Sequence, residues 1–282
     1  MIAKPSPITK AIILTILGVI VIWTAFPFYW GIVTSLKDRE NIDLWFKISV
    51  PWLTFDPTGE NWAGEIMLPE IRNALYNSIT AAVFSTVICM FLGSLAGYAL
   101  ARFRFERIKN KDITIWFFSL RVLPPVAVAI PFFIMMKNLH LLDTKTALVL
   151  SYTTFNLPFA VILMRSLFLE LPPEMEEAAL VDGYTRFGAF FRVALPLAAP
   201  ALVSTSLICL AAAWNEFLFA LFLSSKNAVT IPVLISGGEH SRGVEFWMVA
   251  TRGMLAIIPP AFIALLVQRF IVRGLTYGAV KG

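Results

Sequence analysis

The sequence predicts an all-helical integral membrane protein with about six transmembrane helices and both termini cytoplasmic. Three observations carry that prediction. Of 282 residues, 58% are hydrophobic and 15% charged, too little charge to clothe a soluble domain. Long apolar runs recur, and a hydrocarbon core roughly 30 Å thick needs about 20 such residues per crossing. The cations crowd some short connections and avoid others, as the positive-inside bias requires.

The runs lie near Ala11–Leu36, Ala74–Ala101, Ile113–Met136, Thr146–Phe168, Ala198–Leu223 and Trp247–Val272. Each is too long and too uniformly apolar for a barrel strand, and a lipid-embedded backbone must close its own hydrogen bonds, so helices follow. The first exceeds a signal-peptide core and no small-residue cleavage pattern follows it, so it reads as a retained anchor. Arg102, Arg104, Arg107, Lys109 and Lys111 fill the second connection, and Lys4, Lys10, Arg269, Arg273 and Lys281 flank the ends. These are the cytoplasmic positions. The first connection, about residues 37–72, is more acidic than basic and reads as an outer loop, with Trp23, Tyr29 and Trp30 approaching the outer headgroups. The inside bias accounts for the net charge of +5, so no nucleic acid is expected. Cys89 and Cys209 fall inside spans without a ligand spacing and read as packing residues. The chain is expected to form one transmembrane domain over residues 1–282.

Between spans four and five lies a polar connection, about residues 171–196. Pro172 and Pro173 suit a helix start, Glu174, Glu176 and Glu177 complement its positive dipole end, and Gly183 supplies a left-handed exit. A short helix, a sharp bend and a second short helix result. An acidic segment on the cytoplasmic side is repelled by anionic headgroups and prefers a protein partner. Met175, Ala178, Ala179 and Val181 are available to fill a groove on that partner, with Glu177 and Asp182 choosing basic counterparts.

Glu177-Ala178-Ala179, Gly183, and Val193, Leu195 and Pro196 reproduce at full spacing the EAA signature of ABC importer permeases. Pro27-Phe28-Tyr29-Trp30, Ser35-Leu36-Lys37, Asn77-Ser78, Ala99-Leu100-Ala101-Arg102-Phe103, Trp214-Asn215-Glu216-Phe217, Gly274-Leu275-Thr276 and Gly278 through Gly282 extend the match. The chain thus resembles the carbohydrate branch of these subunits over nearly its whole length. Val193 stands where isoleucine is frequent, a modest change in volume.

The resemblance implies a type I ABC importer permease architecture in a bacterial cytoplasmic (inner) membrane. It implies that Glu174, Glu177, Ala178, Ala179, Asp182, Gly183, Leu195 and Pro196 belong to a coupling loop seated in an ATPase subunit. It further implies two ATPase subunits, a second permease chain, expected to differ and make a heterodimer with a homodimer as the alternative, and an extracytoplasmic solute-binding protein. No phosphate-binding glycine-lysine loop occurs in the sequence, so ATP and Mg are expected on the partner ATPases and no cofactor on this chain.

Polar residues inside spans give a second candidate site. Arg121 falls about a third of the way into span three, where a charge costs about 2.5–3.5 kcal/mol unless it faces a polar interior. Trp214, Asn215 and Glu216 fall in span five, and an aromatic face beside a planar amide suits a sugar. These residues point either to the solute pathway or to the partner permease. A helical rise of about 1.5 Å per residue separates Arg121 from Glu216 by about 12 Å in depth, so no direct ion pair is expected. Pro124, Pro125 and Pro131 are expected to interrupt span three, Pro158 span four, and Pro259 with Pro260 span six. Trp45, Trp52 and Trp62 in the outer loop fit either a solute-receptor contact or the headgroup region. His140 and His240 fall in outer loops and suggest no ligand set.

A secondary transporter would carry intramembrane carboxylate or histidine relays, and here the spans offer little beyond Glu216. A membrane enzyme would need a polar cluster near one face, which does not assemble. An ABC importer for a peptide, amino acid or ion differs from the sugar reading only through the carbohydrate-like flanking segments.

Overall fold

In a computed structural model of the protein, residues 6–38, 48–237, 239–240 and 243–277 are described, with side chains in the last helix described as far as Leu265. Lys4, Trp45 and the segment Gly278 through Gly282 lie outside the described residues, as do the side chains of Arg269, Arg273, Gly274, Leu275, Thr276 and His240.

The elements are, in order, α1 (Pro7–Ser35), α2 (Glu60–Met67), α3 (Pro69–Arg102), α4 (Asn110–Val122), α5 (Pro125–Asn138), α6 (Lys145–Glu170), α7 (Glu174–Val181) and α8 (Arg186–Ala189). A π-helical turn (Phe190–Ala194) leads to α9 (Leu195–Leu197), α10 (Ala199–Trp214), α11 (Leu218–Leu223) and α12 (Ile231–Ser236). A two-residue pairing of Glu239–His240 with Gly243–Val244 precedes α13 (Phe246–Tyr277).

Among the described residues four helices are long and apolar enough to cross a membrane: α1, α3, α6 and the stretch Phe246–Leu265 of α13. Two bent pairs raise the number to six if each is one span. In span three α4 and α5 meet at 91°, and Arg186–Leu197 meets Ala199–Trp214 at 77°. Leu123 and Pro124 are both extended because each precedes a proline, whose ring excludes the helical conformation from its neighbour. Pro200 has no N–H for the carbonyl of Pro196, and the chain bends between them at Ala198.

Pro131, Pro158, Pro259 and Pro260 differ from expectation, since each lies within an unbroken helix. Inside a helix the missing donors leave the rest of the hydrogen-bond ladder intact, even at the consecutive Pro259 and Pro260. Span five also differs, ending as α10 at Trp214 before the separate α11.

The chain divides into two compact units, Met1–Arg72 with Ile235–Ile258, and Asn73–Leu234 with Pro259–Gly282. In the first, the start of α2 is tied to the end of α1 by polar contacts. Asn61 Nδ2 donates to the carbonyls of Ser35 and Lys37 at 2.9 and 2.8 Å, and Trp62 Nε1 donates to Ser35 Oγ at 3.0 Å. Trp62 is therefore held by its own chain, whereas Trp52 is exposed. Arg252 Nε donates to Glu65 Oε2 at 2.7 Å between two buried side chains.

In the second unit one apolar cluster gathers Leu148, Tyr152, Trp214 and Phe219, and another gathers Tyr98, Met164, Phe168 and Phe190. Gly93 and Gly97 let α3 approach α6 at Ala160 and Met164 without an intervening side chain. At one end Asn77 Nδ2 donates to the carbonyls of Asn227 and Val229, and Ser78 Oγ accepts the N–H of Ile231. The other end carries the cations of residues 102–111 together with α7 and α8.

Candidate functional site

The connection from α6 to α10 follows from its own sequence. Pro173 is the N-cap of α7, and Glu174, Glu176 and Glu177 fill the first turn, where the free N–H groups favour negative charge. The helix closes in a Schellman motif, with Tyr184 N–H donating to Ala179 O at 3.0 Å and Gly183 N–H to Leu180 O at 3.1 Å. Gly183 has φ 88°, in the left-handed region where a side chain is strained. Thr185 Oγ1 then accepts from Gly188 N–H and starts α8. The expected helix, bend and second helix are all present.

The two faces of α7 differ. Glu174, Met175, Glu177, Ala178, Val181 and Asp182 are exposed, as is Gly183, while Glu176 and Ala179 are buried against the same chain. Ala179 is thus unavailable to a partner, because it lies three residues from Glu176 on the inward stripe. Leu195 packs against the cluster around Tyr98, and Pro196 is exposed.

Glu176, Tyr98 and Arg102 form a polar joint that sequence reasoning missed. Arg102 Nε and Nη2 lie 2.9 Å from Glu176 Oε1, and Tyr98 O–H donates to Oε2 at 2.7 Å. Arg102 Nη2 also donates to Leu171 O at 2.9 Å. The available signal was the arginine of the Ala99–Phe103 segment, whose neighbours Arg104, Arg107, Lys109 and Lys111 made it look like one more inward-side cation.

A second region lies where two helix breaks meet. A cavity of about 220 Å³ is lined by Arg121, Tyr152, Phe155, Asn156, Glu216 and Phe219 among others. Arg121 Nη1 donates to Phe155 O at 3.3 Å, one turn before Pro158, and its guanidinium lies 5.3 Å from the ring of Phe159. Glu216 Oε1 accepts the N–H of Phe219 at 2.9 Å and so starts α11, while Tyr152 O–H donates to Glu216 O at 3.4 Å. Phe155 and Phe219 stack with centroids 4.4 Å apart.

Arg121 and Glu216 therefore face one cavity without pairing directly. The depth calculation assumed continuous helices, but α4 ends one residue after Arg121 and α10 ends two residues before Glu216. Trp214 and Asn215 are not brought there. Trp214 is buried beside a separate apolar cavity of about 150 Å³ with Pro260, Ile263 and Ala264. Asn215 Nδ2 turns back to Ala211 O at 2.8 Å. Tyr152, Phe155 and Asn156 were missed because they read as ordinary residues of a long apolar span. Among the described residues no cluster of His, Cys, Asp or Glu could hold a metal ion.

The chain is similar to known proteins over nearly its whole length. The family model described as binding-protein-dependent transport system inner membrane component matches residues 91–277. A sulfoquinovosyl glycerol transport system permease protein of Agrobacterium fabrum is 32% identical over 281 residues, covering 99% of this chain and 94% of the relative. A trehalose/maltose transport system permease protein of Thermococcus litoralis is 35% identical over 276 residues, covering 96% and 97%. Among solved structures, a chain of a bacterial ABC transporter involved in the import of the acidic polysaccharide alginate matches with a TM-score of 0.77 at 21% identity, covering 95% of this chain and 99% of that one.

Proposed function

Because the chain belongs to the family of binding-protein-dependent transport system inner membrane components, we propose that it is the transmembrane permease subunit of an ATP-driven importer for a sugar or sugar-like solute. The observation that carries the mechanism is the division of α7 into a buried face and an acidic, exposed one. A helix so divided is held by its own chain and still offers Glu174, Met175, Glu177 and Asp182 to a separate ATPase. Binding there couples nucleotide-driven closure of the ATPase to movement of the spans.

The sugar cargo is supported by relatives named for sulfoquinovosyl glycerol and for trehalose and maltose. The cavity between the helix breaks suits such a cargo: broken spans expose backbone polarity, and stacked aromatic rings beside a carboxylate and an amide suit a hydroxylated ring. Arg121 and Glu216 are its charged walls. Trp214 and Asn215 shape the neighbouring backbone. The complete importer contains two ATPase subunits that hold ATP and Mg, a second permease of different sequence, and an extracytoplasmic binding protein, in a bacterial inner membrane.

Co-purification of the chain with its genomic neighbours tests this reading. A bound ATPase stimulated by a sugar-loaded binding protein is the expected result. Stimulation by an amino acid or peptide and not by sugars would overturn the cargo, and a chain that never retains an ATPase would overturn the mechanism.

A further inference from the structure

The coupling reading leaves open how a displacement of α7 reaches the membrane. Two covalent routes exist, back through Leu171 to α6 and forward through Gly183 to α8. The first passes two prolines and the second a left-handed glycine, so both are bends rather than rods. Glu176 supplies a third route. It is buried on the inward face of α7, with 7% of its surface exposed. Both carboxylate oxygens are engaged by α3, Oε1 by Arg102 and Oε2 by Tyr98.

The two donors stand four residues apart, hence on one face of α3 at its cytoplasmic end. Arg102 also grips Leu171 O, so one guanidinium spans the Pro172-Pro173 step from both sides. Tyr98 is in turn wedged among rings, with centroids 5.4 Å from Phe168 of α6 and 4.7 Å from Phe190 of the π-helical turn. Behind this joint α3 packs closely on α6, where a Cβ at Gly97 would lie 2.7 Å from the backbone nitrogen of Arg165. Motion of α7 is therefore handed to α3 and α6 as a packed pair.

We propose that Glu176 is a positioning residue for transport, the strut through which α7 moves α3, and that Arg102 and Tyr98 are its sockets. Glu177 and Asp182 face outward and serve docking, while Glu176 faces inward and serves transmission. The proposal rests on the reading of α7 as the ATPase-docking helix, and the experiment separates the two.

The complete importer is reconstituted with Glu176→Gln, and three quantities are measured: ATPase subunits retained, ATP hydrolysed and solute taken up. Glutamine keeps the size and removes the charge that holds Arg102. Retained ATPase with uptake per ATP lowered at least about fivefold, the lower edge of ordinary coupling between sites, is expected. Glu176→Asp, which keeps a carboxylate, is expected to recover part of the loss. If Glu176→Gln yields too little complex, Tyr98→Phe keeps the ring packing, removes one bond to Oε2 and is expected to show a smaller fall.

Unchanged uptake per ATP in these variants, with or without a lower yield of complex, overturns the proposal and leaves Glu176 a purely structural group. Loss of the ATPase from Glu176→Gln also overturns it, since the residue would then serve docking. The docking reading fails separately if Glu177→Lys combined with Asp182→Lys leaves the ATPase bound.

Discussion

Asp143 Oδ2 accepts both the main-chain N–H and the side-chain amide of Asn227, each at 2.9 Å. Its Oδ1 accepts the N–H groups of Ser225, Lys226, Asn227 and Ala228 between 2.9 and 3.1 Å. The carboxylate thus sits in a nest of backbone donors and fastens the turn before α6 to the connection after α11. Burial alone would raise its proton affinity, but the donors of Ser225, Asn227, Ala228 and Lys226 outweigh burial and hold the carboxyl well below the ordinary aspartate value.

Asp143→Asn turns an NH2 group toward those donors and is expected to destabilise the protein by about 2 kcal/mol. Because the folded value is depressed, the stabilisation is complete above the ordinary carboxylate range. It fades as pH falls through that range and is lost below the folded value. Thermal unfolding in detergent should therefore show a wide gap between wild type and variant at neutral pH that narrows below about pH 4. A gap independent of pH would show that the carboxylate charge is not what the nest holds.

Two glycines in spans should respond very differently to one added methyl group. At Gly97 a Cβ would meet backbone and side-chain atoms of Met164 and Arg165 at 2.7 to 3.0 Å, whereas at Gly18 nothing lies within 4 Å. Gly97→Ala must push two helices apart and is expected to cost about 1–3 kcal/mol. Gly18→Ala should be neutral or slightly stabilising, since alanine is the better helix former. Equal unfolding temperatures for the two variants would contradict the close approach of α3 and α6.

The left-handed turn after α7 gives a third test. Gly183 has open space around the position of a Cβ, so a substitution there is opposed by the backbone and not by crowding. Gly183→Val should strain the Schellman exit by about 1–2 kcal/mol and redirect α8. The expected result is intact membrane insertion with lower uptake per ATP hydrolysed. Wild-type uptake would show that the exit angle of α7 has no part in transport.

How far the fold was legible follows from the kind of signal each residue gives. Apolar run length marked the spans, and the Pro-Pro, Glu-rich and Gly183 sequence marked α7 and its exit, because these are local effects. Pro124 and Pro125 gave their break too. The bonds of Asn77 and Ser78 to residues 227–231, and of Glu176 to Tyr98 and Arg102, join positions far apart in sequence, so no periodicity announces them. The same holds for the cavity. Arg121 and Glu216 drew notice as costly charges in a span, but their shared cavity depends on two helix ends that a uniform helical rise does not contain.

Arg252 is the clearest case of a residue with no local signal, a cation near the start of span six that lies 187 positions from its partner. Its exposure is 6% and that of Glu65 is 3%, so neither charge can be left alone without a large desolvation cost. Glu70 lies 3.7 Å from Arg252 Nη2 but is largely exposed, and an exposed pair contributes about 0–1 kcal/mol. Arg252→Met should therefore cost about 3–5 kcal/mol, mostly by orphaning Glu65, while Glu70→Gln should change little. Adding Glu65→Leu to Arg252→Met removes the orphaned charge and should recover much of the stability in thermal unfolding of the purified complex. If the double variant is instead less stable than Arg252→Met alone, the carboxylate has another partner and the pair is not what fastens α2 to α13.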